Sequence, residues 1–241
     1  MCTVTYLPTA EGFILTSNRD EDPQRASTKL SRLEIADQQI LFPLDSRAGG
    51  TWIAGSTSGR AVCVLNGAHH PYTRTPPYRR SRGLMALDSF SFHDADAFFS
   101  EYTFSGMEPF TLIMAESGAL WDFRWNGRQT FLLPLQPDEP FIWSSASLYT
   151  PEASEQRASW FYHWLSQHGT SFTPEDVLTL HRSGGEGNRE IDFVMERGST
   201  LRTLSLTQLM RANSSMLLHH ESIGPGSILS DSIPVKLVGP L

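Results

Sequence analysis

The stretch that decides the fold runs from residue 2 to residue 21: Cys2-Thr3-Val4-Thr5-Tyr6-Leu7-Pro8-Thr9-Ala10-Glu11-Gly12-Phe13-Ile14-Leu15-Thr16-Ser17-Asn18-Arg19-Asp20-Glu21. Residues 3–7 and 12–17 are apolar and β-branched, and residues 8–11 between them are turn formers. Two such runs joined by a short turn read as a β-hairpin. If Leu7 pairs with Phe13, paired positions sum to twenty, and Cys2 falls opposite Asn18. Directly opposed residues have Cβ atoms about 4.5–5.5 Å apart. Arg19 and Asp20 follow at once, so the hairpin gathers a thiol, a guanidinium and a carboxylate. A slip of one residue would exchange the side chain that faces the cysteine.

Outward from the hairpin, residues 18–39 are polar. Residues 51–54 and 60–66 read as a second hairpin, turning at Ser58-Gly59. Residues 71–82 form a basic, proline-containing loop, and residues 83–102 read as mainly helical. Strands are expected over 109–115, 120–125, 128–133 and 141–145, with Asn126-Gly127 as a strong hairpin turn. Helices are expected from Thr150-Pro151 and from Thr173-Pro174, each a capping threonine followed by proline at the first helical position. Residues 183–188 form a glycine-rich loop, and late strands are read over 201–206 and 214–219.

Ala61-Val62-Cys63-Val64-Leu65 is apolar without alternation, the mark of a strand covered on both faces. Early strands with helices between and after them indicate an α+β fold of antiparallel sheets with helices packed outside. There is no internal repeat and no long linker, so 1–241 is expected to be a single domain.

The chain has 241 residues, a formal net charge of −7 and a pI of about 5.6. An acidic balance argues against nucleic acid as a partner, which needs a basic footprint. Two cysteines do not make a disulfide framework. No apolar run reaches the length of a membrane-spanning helix, and no charged leader precedes the first strand, so a cytoplasmic protein without an integral membrane segment is expected. The oligomeric state is left open.

Chemically, Cys2 is the candidate nucleophile. Removal of Met1 would make it the chain terminus, with an amine of reference pKa about 7.7–8.0 able to act as base toward its own side chain. A nearby arginine favours thiolate, and Asp20 can hold the amine. A buried structural cysteine before a charged turn is the plainer alternative. Asn66-Gly67, at the end of a strand, could offer a side-chain amide and a backbone N–H to an oxyanion, or be an ordinary turn. The dipeptides His69-His70 and His219-His220 lack the spacing of a zinc site and read as structural or exposed. Arg74 and Arg79 read as solvated residues of the basic loop that ends at Arg82.

Met1-Cys2 with Asn18-Arg19-Asp20-Glu21 resembles the opening of the NRDE family, also called the transport and Golgi organisation protein two family. Gly49-Gly50-Thr51-Trp52, Leu65-Asn66 and Ser81-Arg82-Gly83-Leu84 resemble its next blocks in order. The family is similar to N-terminal nucleophile hydrolases, which implies a four-layer αββα sandwich. It further implies hydrolysis of non-peptide linear amides through an acyl-enzyme on Cys2, with Arg19 and Asp20 as its aids and Asn66 with Gly67 holding the oxyanion. By the same resemblance Asn18, Arg82, Ser145 and Arg211 are expected to face substrate. Ser144-Ser145 stands where choloylglycine-type relatives carry an asparagine, so one amide donor is missing here. No metal or organic cofactor is expected, and the expected partner is a small amide or acyl ligand. The family's connection with haem and lipid handling implies the alternative, a non-catalytic haem- or lipid-binding or trafficking protein that uses the same pocket.

Overall fold

The computed structural model describes residues 3–25, 29–224 and 228–235. The chain opens with β1 (Thr3–Thr9) and β2 (Gly12–Glu21), followed by β3 (Leu30–Ile35), β4 (Gln38–Pro43), β5 (Ile53–Ser56) and β6 (Ala61–Asn66). Helices α1 (Arg82–Asp88) and α2 (Ala95–Glu101) come next, then β7 (Phe110–Glu116), β8 (Ala119–Trp125), β9 (Thr130–Leu135) and β10 (Phe141–Ser144). Helices α3 (Pro151–His168) and α4 (Pro174–Ser183) precede β11 (Glu196–Arg197), β12 (Leu201–Ala212), β13 (Ser215–Ser222) and β14 (Ile228–Pro234).

The strands form two antiparallel sheets. One has the order β10-β1-β2-β12-β13-β14, with β11 paired to β12; the other runs β3 to β9 in chain order. A shared apolar core lies between them, with Val4, Phe13, Leu15, Leu209 and Leu218 from the first sheet meeting Ile53, Cys63 and Ile113 from the second. Helices α3 and α4 pack on the first sheet, α1 and α2 on the second. The result is the expected αββα sandwich. Strand β2 shows why it must have four layers. Phe13 and Leu15 enter the core between the sheets, whereas Ile14 joins Leu7, Phe161, Val177 and Leu180 beneath the helices. With period two, a strand apolar on both faces needs a cover on each.

Local chemistry fixes the helix ends. The Thr150 hydroxyl accepts from the Ala153 N–H ahead of Pro151. Thr173 and Asp176 close a reciprocal capping box at α4. Two glycines fix how α1 meets the second sheet. A Cβ on Gly50 would come within 2.5 Å of the Gly83 carbonyl carbon, and one on Gly83 within 2.7 Å of the Thr51 oxygen. The backbones touch there, and the Thr51 N–H donates to the Gly83 oxygen.

Several expectations are corrected. The first hairpin pairs Leu7 with Ile14 and Pro8 with Phe13, so positions sum to twenty-one and Asn18 faces Thr3. The cause is a tighter turn: only Ala10 and Glu11 lie outside the strands. Pro8 is tolerated because the β10 ladder ends at Tyr6, leaving Pro8 a strand neighbour on the β2 side alone. Residues 18–21 continue β2 rather than opening a polar loop. Strands β3, β4 and β14 were not foreseen; β3 is largely exposed and lacks the apolar alternation that reveals a strand. The late strand extends to Ala212, which places Arg211 within β12. Residues 83–102 are mainly helical as expected, divided into two short helices with a 3-10 turn between them.

Candidate functional site

Strand β2 lies between β1 and β12, its last residues, Arg19 to Glu21, pair with β12, and their side chains alternate between the sheet's two faces. Arg19 projects towards the second sheet. Its Nη2 donates to Asp45 Oδ2 at 2.8 Å and its Nη1 to the Arg25 carbonyl at 2.6 Å. Its guanidinium lies 4.5 Å from the Trp52 ring centroid. Burial lowers the Arg19 pKa, with Asp45 opposing, yet a guanidinium stays charged. Burying such a cation is tolerable only because it is paired and hydrogen-bonded.

Asp45 is therefore central, and it stands in none of the sequence blocks singled out above. Its Oδ1 accepts the N–H groups of Arg47 and Ala48, and its Oδ2 takes both Arg19 and Arg25. Burial opposes its ionisation, but the Ala48 N–H and the two guanidiniums prevail and hold the carboxyl below its ordinary range. A signal was present: an aspartate followed by Ser46-Arg47-Ala48-Gly49, with Gly49 at φ +68°, is a side-chain-capped turn. Arg25 also pairs with Glu21 at 2.6 Å.

These groups line a cavity of about 250 Å³ whose other walls include Thr51, Asn66, Arg82 and Glu108. Arg82 donates through Nη1 to the Tyr72 hydroxyl at 2.7 Å and the Pro109 carbonyl at 3.1 Å, and its Nη2 lies 3.2 Å from Glu108. Glu108 also accepts from Tyr72 and Arg74. Asn66 ends β6, and its carboxamide has no hydrogen-bond partner among the described residues. Gly67 follows at φ +80°, but its N–H already donates to the Pro109 carbonyl at 3.1 Å. Ser145 stands beside them, its hydroxyl donating to the Asn66 carbonyl at 2.8 Å. Arg19, Asn66 and Arg82 thus meet in one cavity, with Gly67 and Ser145 as its backbone support.

The opposite face of β2 carries Asn18 and Asp20 into the layer beneath α3 and α4. The Asn18 amide donates to the carbonyls of His181 (3.1 Å) and Phe193 (2.6 Å), and its oxygen bonds His181 Nδ1. Thr5 Oγ1 lies 2.8 Å from His181 Nε2. Burial drives the His181 pKa down to about 3, so the ring is neutral at pH 7. Nδ1 then carries the proton towards Asn18, and Nε2 accepts from Thr5. With its donors and acceptor engaged, Asn18 builds the frame and does not reach the cavity. Asp20 accepts from the Tyr149 hydroxyl at 3.0 Å and the Thr203 hydroxyl at 2.5 Å. Sequence reasoning missed Tyr149, Thr203 and His181, which come from three elements far apart in the chain.

Arg211 does not join this cluster. It faces Phe13, six residues along β12 from Ser205, the partner of Arg19; at about 3.3 Å per residue that is roughly 20 Å. Cys2 lies outside the described residues. Cys63 is buried among apolar side chains, and burial pushes its thiol up to about 12. It is a structural thiol, since a nucleophile must be thiolate.

The sequence profile of the family described as Transport and Golgi organisation 2 matches residues 1–175. No curated protein matches the chain. Among solved structures, two variants of the conjugated bile acid hydrolase from Clostridium perfringens superpose with a TM-score of 0.64 at 8% identity, covering 98% of this chain and 97% of theirs. The Caenorhabditis elegans ortholog of N-acylethanolamine-hydrolyzing acid amidase superposes with a TM-score of 0.53 at 13% identity, over 88% of this chain and 93% of that one. At such identities the likeness establishes the fold, that of N-terminal nucleophile hydrolases. Among the described residues, no helix is long and apolar enough to cross a membrane.

Proposed function

The chain belongs to the Transport and Golgi organisation 2 family, and from that premise we propose that it is an N-terminal cysteine hydrolase of a small, non-peptide linear amide. One observation carries this reading: buried Arg19 and the uncommitted carboxamide of Asn66 line one cavity at the end of the hairpin where Thr3 and Asn18 pair. Cys2 is the residue covalently next to Thr3. The solved structures of like fold are those of a bile acid hydrolase and an acid amidase, which supports amide chemistry.

Removal of Met1 would free the Cys2 amine. The amine takes the thiol proton, and the sulfur forms a bond to the substrate carbonyl carbon. The Asn66 carboxamide N–H donates to the resulting oxyanion, a contribution of about 2.7–4 kcal/mol for one well-aimed donor. The C–N bond then breaks, the leaving nitrogen collects the proton, and the acyl group stays on sulfur as a thioester. Water attacks the thioester, releasing the acid and restoring the thiol. Arg19, fixed by Asp45 and Trp52, supplies positive charge beside the thiolate. Asp20 holds the terminal amine. Arg82 contributes to the substrate-facing wall.

The cavity also bears on the haem- or lipid-binding alternative. Its volume falls below the about 300–1,000 Å³ of pockets for drug-sized ligands, and Arg19, Arg25, Asp45, Arg82 and Glu108 line it. Both features favour a small polar substrate over a porphyrin or an acyl chain.

The test is intact-mass analysis of the purified protein before and after incubation with an acyl p-nitrophenyl ester. A mass lacking Met1 and one acyl group on residue 2, absent from Cys2→Ala, is expected. Retention of Met1, or an equal adduct on Cys2→Ala, would overturn the reading.

A further inference from the structure

Strand β9 is an outer strand of the second sheet, and its free edge differs from the other edges. Nothing from Thr130 to Leu135 is charged. Natural sheet edges are blunted by charge, brevity or cover. The outer strand on the far side of the same sheet, β3, carries Arg32 and Glu34, and β14 carries Asp231. Those two edges are clasped together by the Arg32–Asp231 pair, and β10 has only four residues. Of the six large apolar side chains exposed among the described residues, three stand in a row on β9: Phe131 at 37%, Leu132 at 46% and Leu133 at 57%.

The turn before β9 fixes which way its backbone points. The Asn126 N–H donates to the Gln129 carbonyl, so these two form a hydrogen-bonded pair. Pair types alternate from there along the ladder with β8. Phe131, Leu133 and Leu135 therefore direct their N–H and C=O groups to β8. Those of Thr130 and Leu132, with the carbonyl of Pro134, point outward. Pro134 occupies a position whose N–H would have faced outward, which is where an edge strand tolerates proline.

The outward groups are self-complementary. A second copy of β9, laid antiparallel about a two-fold axis through Leu132, exchanges both bonds of Leu132 with its own Leu132. Each Thr130 N–H then meets the Pro134 carbonyl of the other copy. Only the Thr130 carbonyl is left to water, since proline has no N–H. In this register Phe131 of one copy stands opposite Leu133 of the other, at the close, non-hydrogen-bonded spacing where cross-strand side chains interact. Charge agrees with the pairing. Exposed Arg128 precedes the strand, and exposed Asp138 and Glu139 follow it. None of the three has an ion pair among the described residues. Antiparallel pairing sets the arginine of each copy near the carboxylates of the other, whereas parallel pairing would set like charges together.

We propose that β9 is a homodimer interface, at which two copies of the chain join edge to edge about Leu132 and fuse their second sheets into one. The open backbone, the apolar row and the flanking charges are all accounted for by the same two-fold axis. An isologous contact of this kind closes on itself and leaves no β9 edge free to propagate. The assembly does not depend on the chemistry of the Arg19 cavity.

The experiment is sedimentation velocity of the purified full chain over a concentration series. The wild-type protein is expected to pass from one chain mass to two as concentration rises. Leu132→Pro removes the central N–H donors while sparing the ladder to β8. It is expected to raise the dimer dissociation constant by at least about tenfold. Leu133→Lys, which sets an ammonium beside Phe131 of the other copy, is expected to abolish the dimer. Arg128→Glu is expected to weaken it, and adding Asp138→Arg and Glu139→Arg to that variant is expected to restore it. Circular dichroism checks that each variant is folded; should Leu132→Pro not fold, Leu133→Lys and the charge exchange carry the test. A wild-type protein that stays monomeric at every concentration would overturn the proposal, as would a dimer that Leu133→Lys and Arg128→Glu leave intact. A wild-type monomer that floats with phosphatidylcholine vesicles, when Leu133→Lys does not, would assign the edge to a lipid surface and overturn the dimer likewise.

Discussion

Arg19 and Asp20 are neighbours in sequence and face opposite worlds. On the face of Arg19, charge is balanced by charge: Asp45, Arg25 and Glu21 form an ionic chain that opens onto a cavity. On the face of Asp20, a closed layer beneath α3 and α4 uses hydroxyls, a carboxamide and a neutral imidazole. The comparison teaches that a run of polar residues on a strand is not one site. Period two divides it, and each half must solve its burial with whatever the adjoining layer supplies.

The largest effect should come from breaking the ionic side. Asp45→Ala would leave Arg19 buried without its carboxylate, and loss of one partner of a buried pair costs about 3–5 kcal/mol. Urea unfolding should show that loss; a change below about 1 kcal/mol would mean that Arg19 finds water or another acceptor. On the other face, Asn18→Ala strands the His181 and Phe193 carbonyls and the His181 Nδ1–H. A cost of about 1–3 kcal/mol is expected, the range for a buried polar group left unsatisfied.

The two faces should also part company in acid. His181 has a folded pKa of about 3 against an ordinary 6.5. As pH falls, the unfolded chain binds its proton first, so stability present above pH 6.5 drains away down to about pH 3. Asp45 has its folded pKa below the ordinary 3.8. Its contribution is complete above that value and is lost only as pH falls further, through the folded pKa. Denaturation midpoints measured against pH should therefore decline in two stages, and His181→Gln should flatten the upper one while leaving the lower. An unaltered upper stage would mean that another group carries it. The smallest effect belongs to Arg74 on the cavity rim. Its side chain is 71% exposed although it pairs with Glu108 at 2.7 Å. Arg74→Ala should change stability by less than about 1 kcal/mol, as exposed pairs do.

Parts of this molecule were legible because their signals are local. Thr150-Pro151 and Thr173-Pro174 start helices where capping chemistry says they should. Asn126 and Gly127 turn a hairpin, Gly127 at φ +96° and Asn126 Oδ1 accepting two N–H groups. The doubly covered β6 announced the layered architecture, and the ordered blocks announced Arg19, Asn66 and Arg82 as residues to watch. The hairpin register was read one residue out because Pro8 and Thr9 look like turn material, whereas the sheet uses them as strand. Strand β3 escaped because an exposed edge carries little apolar pattern.

By itself, then, the sequence determined the α+β class, the helix starts, the covered strands and the residue types available for chemistry, since each follows from short-range sterics, capping and burial of apolar side chains. Only the tertiary structure decided which of those residues meet. Asp45 reaches Arg19 across 26 positions, Tyr149 reaches Asp20 across 129 and Thr203 reaches it across 183. Such meetings depend on strand order, a one-residue register and a bulge in β12. Those are settled by packing two sheets and four helices together, and no local pattern in the chain encodes them.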